Sequence, residues 1–234
     1  MKEIKDPILL ETYLREYGLE PVLYEKIRPY CALYEYNRGD LICSQGESPE
    51  ILYILVKGKL KVFTTNAEGK TLVISFKTAL ELVGDIEYVQ ETDILNTVEA
   101  VTGVHMIAVP YRILRRYGQE HAPLLQFLLK VITRKFYLKS NSISLNMMYP
   151  VDVRLASYLV AAFSDESHNP VSGLLSTAEL KDVANLIGVS YRHLNRIILQ
   201  FCSNGLLERK KGGLLVKNLD GLGKMAIRNI YEYQ

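Results

Sequence analysis

Ser190 is followed by a dense set of polar heads, Tyr191, Arg192, His193, Asn195 and Arg196. Two arginines four positions apart are one helical turn apart if the segment is helical, and so project from the same side. An arginine fork pairs in bidentate fashion with guanine O6 and N7, or grips a phosphate. Tyr191 and His193 suit phosphates or thymine methyls, and a tyrosine at a helix start can equally pack inward. A helix would gather Leu194, Ile197, Ile198 and Phe201 on the opposite face. Ser190 is then its N-cap. Upstream, Ser176 and Glu179 have capping-box spacing, and Leu180, Val183, Ala184 and Ile187 make an apolar stripe before Gly188. The reading is helix, tight turn, second helix, with donors outward at the start of the second, the geometry that enters a DNA major groove.

The second helix is expected to continue through Leu207. Then Leu206-Leu207, Arg209-Lys210-Lys211, Gly212-Gly213 and Leu214-Leu215-Val216 read as a hairpin centred on the two glycines, with Lys210 and Lys211 at its tip within reach of phosphates. A surface helical hairpin would share the amphipathic pair but has no need of the basic wing.

The 234 residues suffice for one large domain or two modest ones, and 48% hydrophobic content supplies a core. A formal net charge of +2 does not announce a polyanionic partner, yet Lys181, Arg192, Arg196, Arg209, Lys210, Lys211 and Lys217 cluster near the C-terminal end, opposed by Asp182 and Glu208. The charged start MKEIKDP has no signal-peptide core, and no apolar run approaches the roughly 20 residues of a membrane span, so a cytoplasmic protein without a membrane partner is expected. Cys31, Cys43 and Cys202 are scattered and odd in number, which opposes a disulfide framework. His105, His121, His168 and His193 include no His-x-His pair, which opposes a metal-dependent β-roll enzyme.

Residues 1–30 look helical, with Leu9, Leu10, Tyr13, Leu14 and Tyr17 on one stripe. From about Tyr34 to Val109 short alternating runs broken by glycines suggest a β sandwich or barrel. A single long helix is expected from about Arg112 through Met147. Its stripe Leu125, Leu128, Leu129, Ile132, Phe136, Ile143 and Met147 is narrow, with Lys130, Arg134, Lys135 and Lys139 facing away or flanking it. Such a seam pairs with a copy of itself, giving a homodimer, or else covers the β domain.

These stretches together resemble the CRP/FNR superfamily of bacterial transcription regulators over nearly the whole chain. RGDLICSQGESPEILYILVKGKLKVF resembles the opening of that family's β-roll, DVRLASYLV its first C-terminal helix, and GVSYRHLNRII its recognition helix. The likeness is greatest to the YeiL-type branch, which shares GVSYRHL and a KKG…KN wing. It implies an α+β chain: a jelly-roll effector or sensor domain over residues 1–120, a dimerisation helix over 121–149, and a winged helix-turn-helix over 150–234. It implies double-stranded DNA with near-palindromic sites as the target, a homodimer as the binding form, and RNA polymerase as a further partner.

The departures are informative. Cyclic-nucleotide binders of this family carry a Gly-Glu-Leu segment followed by Arg-Ser-Ala, where a guanidinium and helix N–H groups neutralise the phosphate. Here the stretch is GDIEYVQETDILNTVEA, so the expected effector pocket is lined by Gly84, Asp85, Glu87, Leu95, Asn96 and Thr97. Leu95-Asn96-Thr97 stands where the arginine motif would be, and Asp85, Glu87, Glu91 and Asp93 add negative charge, so cyclic AMP is not expected as the effector. Three cysteines without clustered spacing do not make a four-cysteine iron–sulfur site, and no cofactor is identified. Arg196 matches the family's helix arginine, whereas Arg192 replaces a glutamate common in it, so the family's familiar half-sites do not transfer. A ligand-binding regulator acting through proteins rather than DNA is the other class left open, and the basic wing opposes it.

Overall fold

The alternation after Gly58, Leu60 and Val62 against Lys59 and Lys61, folds as expected into a strand, and the apolar run before it forms another that belongs to the opposite sheet. The computed structural model describes residues 1–69, 71–163, 174–177 and 179–227. They fall into two compact units, Met1–Lys135 and Phe136–Gln234.

In the first unit the order is β1 (Lys2–Ile4), α1 (Pro7–Glu16), a 3-10 turn at Arg28–Tyr30, β2 (Ala32–Tyr36), β3 (Leu41–Cys43), β4 (Ile51–Lys57), β5 (Lys59–Thr65), β6 (Thr71–Thr78), β7 (Glu81–Val83), α2 (Asp85–Gln90), β8 (Thr97–Ala100), β9 (Val104–Pro110) and α3 (Tyr111–Tyr117). The expected N-terminal helical region is therefore shorter, because Lys2–Ile4 pairs with Leu33–Glu35 instead. Two antiparallel sheets result, β1-β2-β9-β4-β7 and β3-β8-β5-β6. Strand alternation divides the side chains of β9: Val104 and Met106 face the sandwich interior with Tyr36, Leu55, Leu60 and Val98. Ile107 and Val109 face the helical layer with Leu14, Leu19 and Leu23. This is a jelly-roll built by burial on both faces of its first sheet.

The expected single long helix is two. Helix α3 ends at Tyr117 with Gly118 as C-cap. Helix α4 then runs Ala122–Met148, with Pro123 in its first turn, where a missing N–H removes no helical hydrogen bond.

In the second unit α5 (Val151–Phe163) precedes β10 (Leu174–Ser176), α6 (Glu179–Leu186), α7 (Tyr191–Ser203), β11 (Leu207–Lys210), β12 (Gly213–Val216) and α8 (Leu219–Met225). Ser176, expected as a helix cap, is the last residue of β10, which adds a third strand to the wing sheet in the order β10-β12-β11. Leu155, Leu159, Leu180, Val183, Leu194, Ile198, Phe201 and Leu214 form one core. Arg154, itself buried, donates to the carbonyl of Ile187 and so ties α5 to the turn after α6. The segment carrying His168 lies outside the described residues.

Candidate nucleic-acid interface

Helix α7 begins where Ser190 Oγ accepts the His193 N–H at 3.2 Å, a cap contributing about 1 kcal/mol. Its buried face is Leu194, Ile197, Ile198 and Phe201, the four residues expected there. The helix ends at Ser203, short of the expected Leu207, because Asn204-Gly205 turns the chain into the wing. Arg192 and Arg196 are exposed on the other side, and Tyr191 is half-buried, with part of its ring packed against the core. Arg196 Nη2 lies 3.0 Å from His193 Nε2, within hydrogen-bond reach. Asn195 Oδ1 accepts from Arg209 Nη2 at 2.7 Å, linking the helix to β11.

The wing turn differs by one residue from expectation. Lys210 pairs with Gly213, so Lys211 and Gly212 form the two-residue loop and Gly213 belongs to β12. Gly212 has φ +93°, a conformation that favours glycine. Lys211 is therefore at the tip, whereas Lys210 is on the strand and pairs with Glu208 at 2.5 Å. Lys217 adds a longer contact to the same carboxylate, 3.7 Å. Lys210's hydrogen bond chiefly holds the Glu208 carboxyl below the usual range.

In the first unit, Gly84 adopts φ +90° between β7 and α2. A Cβ there would stand 2.7 Å from Tyr111 Oη and 2.8 Å from the Ile51 carbonyl oxygen. Tyr111 Oη donates to the Gly84 carbonyl at 2.5 Å. Asp85, expected to oppose a phosphate, has its charge engaged elsewhere. It is 2% exposed, and Lys135 Nζ of α4 donates to its two oxygens at 2.7 and 2.9 Å. The same ammonium donates to the Leu82 carbonyl at 2.8 Å and lies 3.3 Å from Glu81, which also pairs with Lys77 at 2.8 Å. Lys135 thus turns towards the β-roll, where the sequence reading had it flanking a seam. Burial pushes the Glu81 carboxyl up, but Lys135 and Lys77 outweigh it and hold it below the ordinary range.

Glu87 is buried, and its Oε1 accepts the Leu95 N–H at 3.1 Å, closing the segment between α2 and β8 with a carboxylate of its own. Leu95 is half-exposed, the Asn96 carbonyl faces Cys43 Sγ at 3.8 Å, and Thr97 Oγ1 accepts the Gln45 N–H at 3.1 Å. Burial, with a contribution from Glu87, pushes the Cys43 thiol up to about 12, and burial does the same to Cys31. Neither thiol is poised as a thiolate nucleophile near neutral pH. Among the described residues no three His, Cys, Asp or Glu side chains gather as metal ligands, and no helix is long and apolar enough to cross a membrane.

The expected seam divides. Leu128 is 4% exposed and belongs with Leu124 to the first unit's core, because it lies on the side of α4 that covers the sheet. Leu125, Leu129, Phe136, Ile143 and Met147 are exposed, Phe136 by 72%, and Ile132 is half-buried. Without Leu128, positions 125, 129, 132, 136 and 143 follow the alternating four- and three-residue steps of a heptad, with Lys139 at the step between the last two.

The residues that sequence reasoning missed are Lys135 and Arg209 as partners of specific side chains. Strand alternation carried the signal for Arg209, since it falls on the same face as buried Leu207.

Residues 33–121 match the cyclic nucleotide-binding domain family, and residues 153–225 match the Crp-like helix-turn-helix domain family. The chain is 29% identical over 195 residues to the regulatory protein YeiL of Escherichia coli O157:H7, covering 83% of this chain and 85% of that one. It is 19% identical over 211 residues to a CRP-like cAMP-activated global transcriptional regulator of Mycobacterium tuberculosis, covering 89% and 94%. Among solved structures, the c-di-GMP responsive global regulator CLP of Xanthomonas campestris shares the fold with a TM-score of 0.70 at 18% identity, over 82% of this chain and 96% of that one.

Proposed function

Because the chain belongs to the CRP/FNR family of transcription regulators, we propose that it acts as a homodimer on near-palindromic DNA. Residues 1–120 serve as the sensor, 121–149 as the dimerisation helix and 150–234 as the DNA-binding domain. The observation that carries this is helix α7, whose apolar face is sealed in the core while Arg192 and Arg196 stand exposed beside a basic wing. Ser190, Tyr191, Arg192, His193, Asn195 and Arg196 make up the DNA-facing surface of the helix, and Lys210 and Lys211 that of the wing. Arg196 reads a guanine edge. The exposed heptad Leu125, Leu129, Ile132, Phe136, Ile143 supports pairing of two α4 helices. RNA polymerase is the further partner that the family implies, and the protein performs no catalysis.

The sensor does not take cyclic AMP. Leu95 offers no cation to a phosphate, and the buried Glu87 carboxylate already accepts the N–H that an anion would seek. Selection of bound duplexes from a randomised library by the full chain tests the DNA reading, and two-fold symmetric sites are the expected product. Calorimetry with cyclic AMP is expected to show no binding heat, and a micromolar dissociation constant would overturn the reading of the sensor.

A further inference from the structure

The contact between Asn195 and Arg209 joins, at the surface, two parts of the DNA-binding face that the core joins below. Asn195 lies on the second turn of α7 and Arg209 in the middle of β11, and both side chains reach past the buried layer to meet at 2.7 Å. Strand alternation explains the pairing. Leu207 and Arg209 share the face of β11 turned to α7, and Leu207 is buried there. Glu208 and Lys210 share the opposite face and engage each other.

The two basic residues of β11 therefore differ in kind. Lys210 meets a carboxylate, which offsets its charge. Arg209 meets a neutral amide oxygen, which orients the guanidinium and leaves its full charge in place. One of its five N–H groups is used, and four remain for a ligand. Holding the fork in advance reduces the side-chain freedom lost on binding. The consequence for Asn195 is that its carbonyl oxygen is already engaged, and bidentate recognition of adenine needs that oxygen together with the amide N–H.

We infer that Asn195 is a positioning residue that orients Arg209 to clamp a DNA phosphate at the rim of the groove entered by α7, and that Asn195 reads no base. This rests on the proposed DNA binding. Helix and wing then act as one unit.

The test uses the full-length parent chain with Asn195→Ala, Asn195→Gln, Arg209→Ala and the double alanine variant. Each is titrated against a duplex selected by the parent and against a scrambled duplex of the same composition, at several salt concentrations. Arg209→Ala is expected to weaken both duplexes equally, by roughly tenfold, and to lower the slope of log K against log salt by about one unit. Asn195→Ala is expected to weaken both by a smaller factor, and the double variant to be no weaker than Arg209→Ala alone. Asn195→Gln, which keeps an amide acceptor, recovers most of the loss. Repeating the selection with Asn195→Ala is expected to return the parent's sites. A changed base preference in that selection, or alanine losses that multiply in the double variant, overturns the inference while the parent still binds. A parent chain that binds no duplex overturns the DNA reading itself, and this inference with it.

Discussion

Replacing Lys135 by methionine withdraws the ammonium that Asp85 and Glu81 share. Methionine keeps most of the stem's volume, so the perturbation is to charge and not to packing. Asp85 loses both hydrogen bonds from the ammonium, at 2.7 and 2.9 Å, while Glu81 retains Lys77 at 2.8 Å. Removing one partner of a buried pair costs about 3–5 kcal/mol, because the survivor is left charged in a poorly solvated place. Lys135 is about one-fifth exposed, so solvent offsets part of the loss and favours the low end, about 3 kcal/mol. For a unit the size of Met1–Lys135, with an unfolding entropy of about 2 cal/mol/K per residue, that lowers the melting temperature by about 10 °C. The pH dependence has a definite sign. The Glu81 carboxyl is held below its ordinary value by Lys135 and Lys77 against the effect of burial. Its contribution is therefore full above the ordinary carboxylate range and is lost as pH falls through the depressed value. The gap between parent and variant should be widest near pH 7.5 and should narrow only well below about pH 4, as pH falls through the depressed Glu81 value. Calorimetric unfolding at pH 7.5 and at about pH 2.5 decides. A shift under about 3 °C at pH 7.5, or a gap that is unchanged at about pH 2.5, would refute the assignment of Lys135 as the charge partner of this cluster.

Phe136→Glu puts a carboxylate in the exposed stripe of α4, and sedimentation should show a parent dimer at micromolar concentration falling to monomer, with DNA affinity lost in parallel; a monomeric parent sinks the dimer reading. Gly84→Ala combines φ +90° with a Cβ 2.7 Å from Tyr111 Oη, so a loss of about 2–3 kcal/mol in denaturant unfolding is expected, and a neutral effect would show that the turn relaxes freely. Arg196→Ala should cost about 1–3 kcal/mol on a selected duplex and relax preference at one base pair per half-site, whereas Lys210→Ala with Lys211→Ala should weaken all DNA alike and flatten the salt dependence. Because Glu208 engages Lys210, Lys211 is expected to account for the larger share of that flattening. Equal loss on selected and scrambled duplexes for Arg196→Ala would make it a phosphate contact.

Where the sequence was sufficient, one periodicity had one interpretation. The apolar set of α7 could only be a buried helix face, and Ser190 could only precede it. Gly58, between a short apolar run and an alternating one, could only separate strands. It was insufficient where a residue had two faces to choose from. Leu125 and Leu128 both fit a helical stripe, and only the position of the sheet under α4 decides that Leu128 belongs to the core. Lys135 looks like any solvent lysine on a charged helix until the distant Glu81 and Asp85 are folded against it. Short strands were missed for a related reason. Lys2–Ile4 and Leu174–Ser176 have three residues each, too few to display a period, and they are strands because a partner edge was available. The wing turn was misplaced by one residue because either glycine of Gly212-Gly213 tolerates positive φ, and strand pairing makes the choice.

The strand order of the first sheet also governs the order in which the chain can fold. Strand β9 lies between β2 and β4, so Ala32 must wait for Ala108 and Ile54 for Ile107 before either strand has its neighbour on that side. During synthesis, β2 and β4 are made long before residues 104–110 emerge, and until then each carries an open edge able to pair with another chain. Closure of such distant segments is entropically slow. In the second unit the hairpin β11–β12 closes locally, although β10 must wait for β12 and α5 for α8. Premature termination anywhere before Val104 would therefore yield a product whose two longest-lived open edges never close, and aggregation is the expected fate of that fragment.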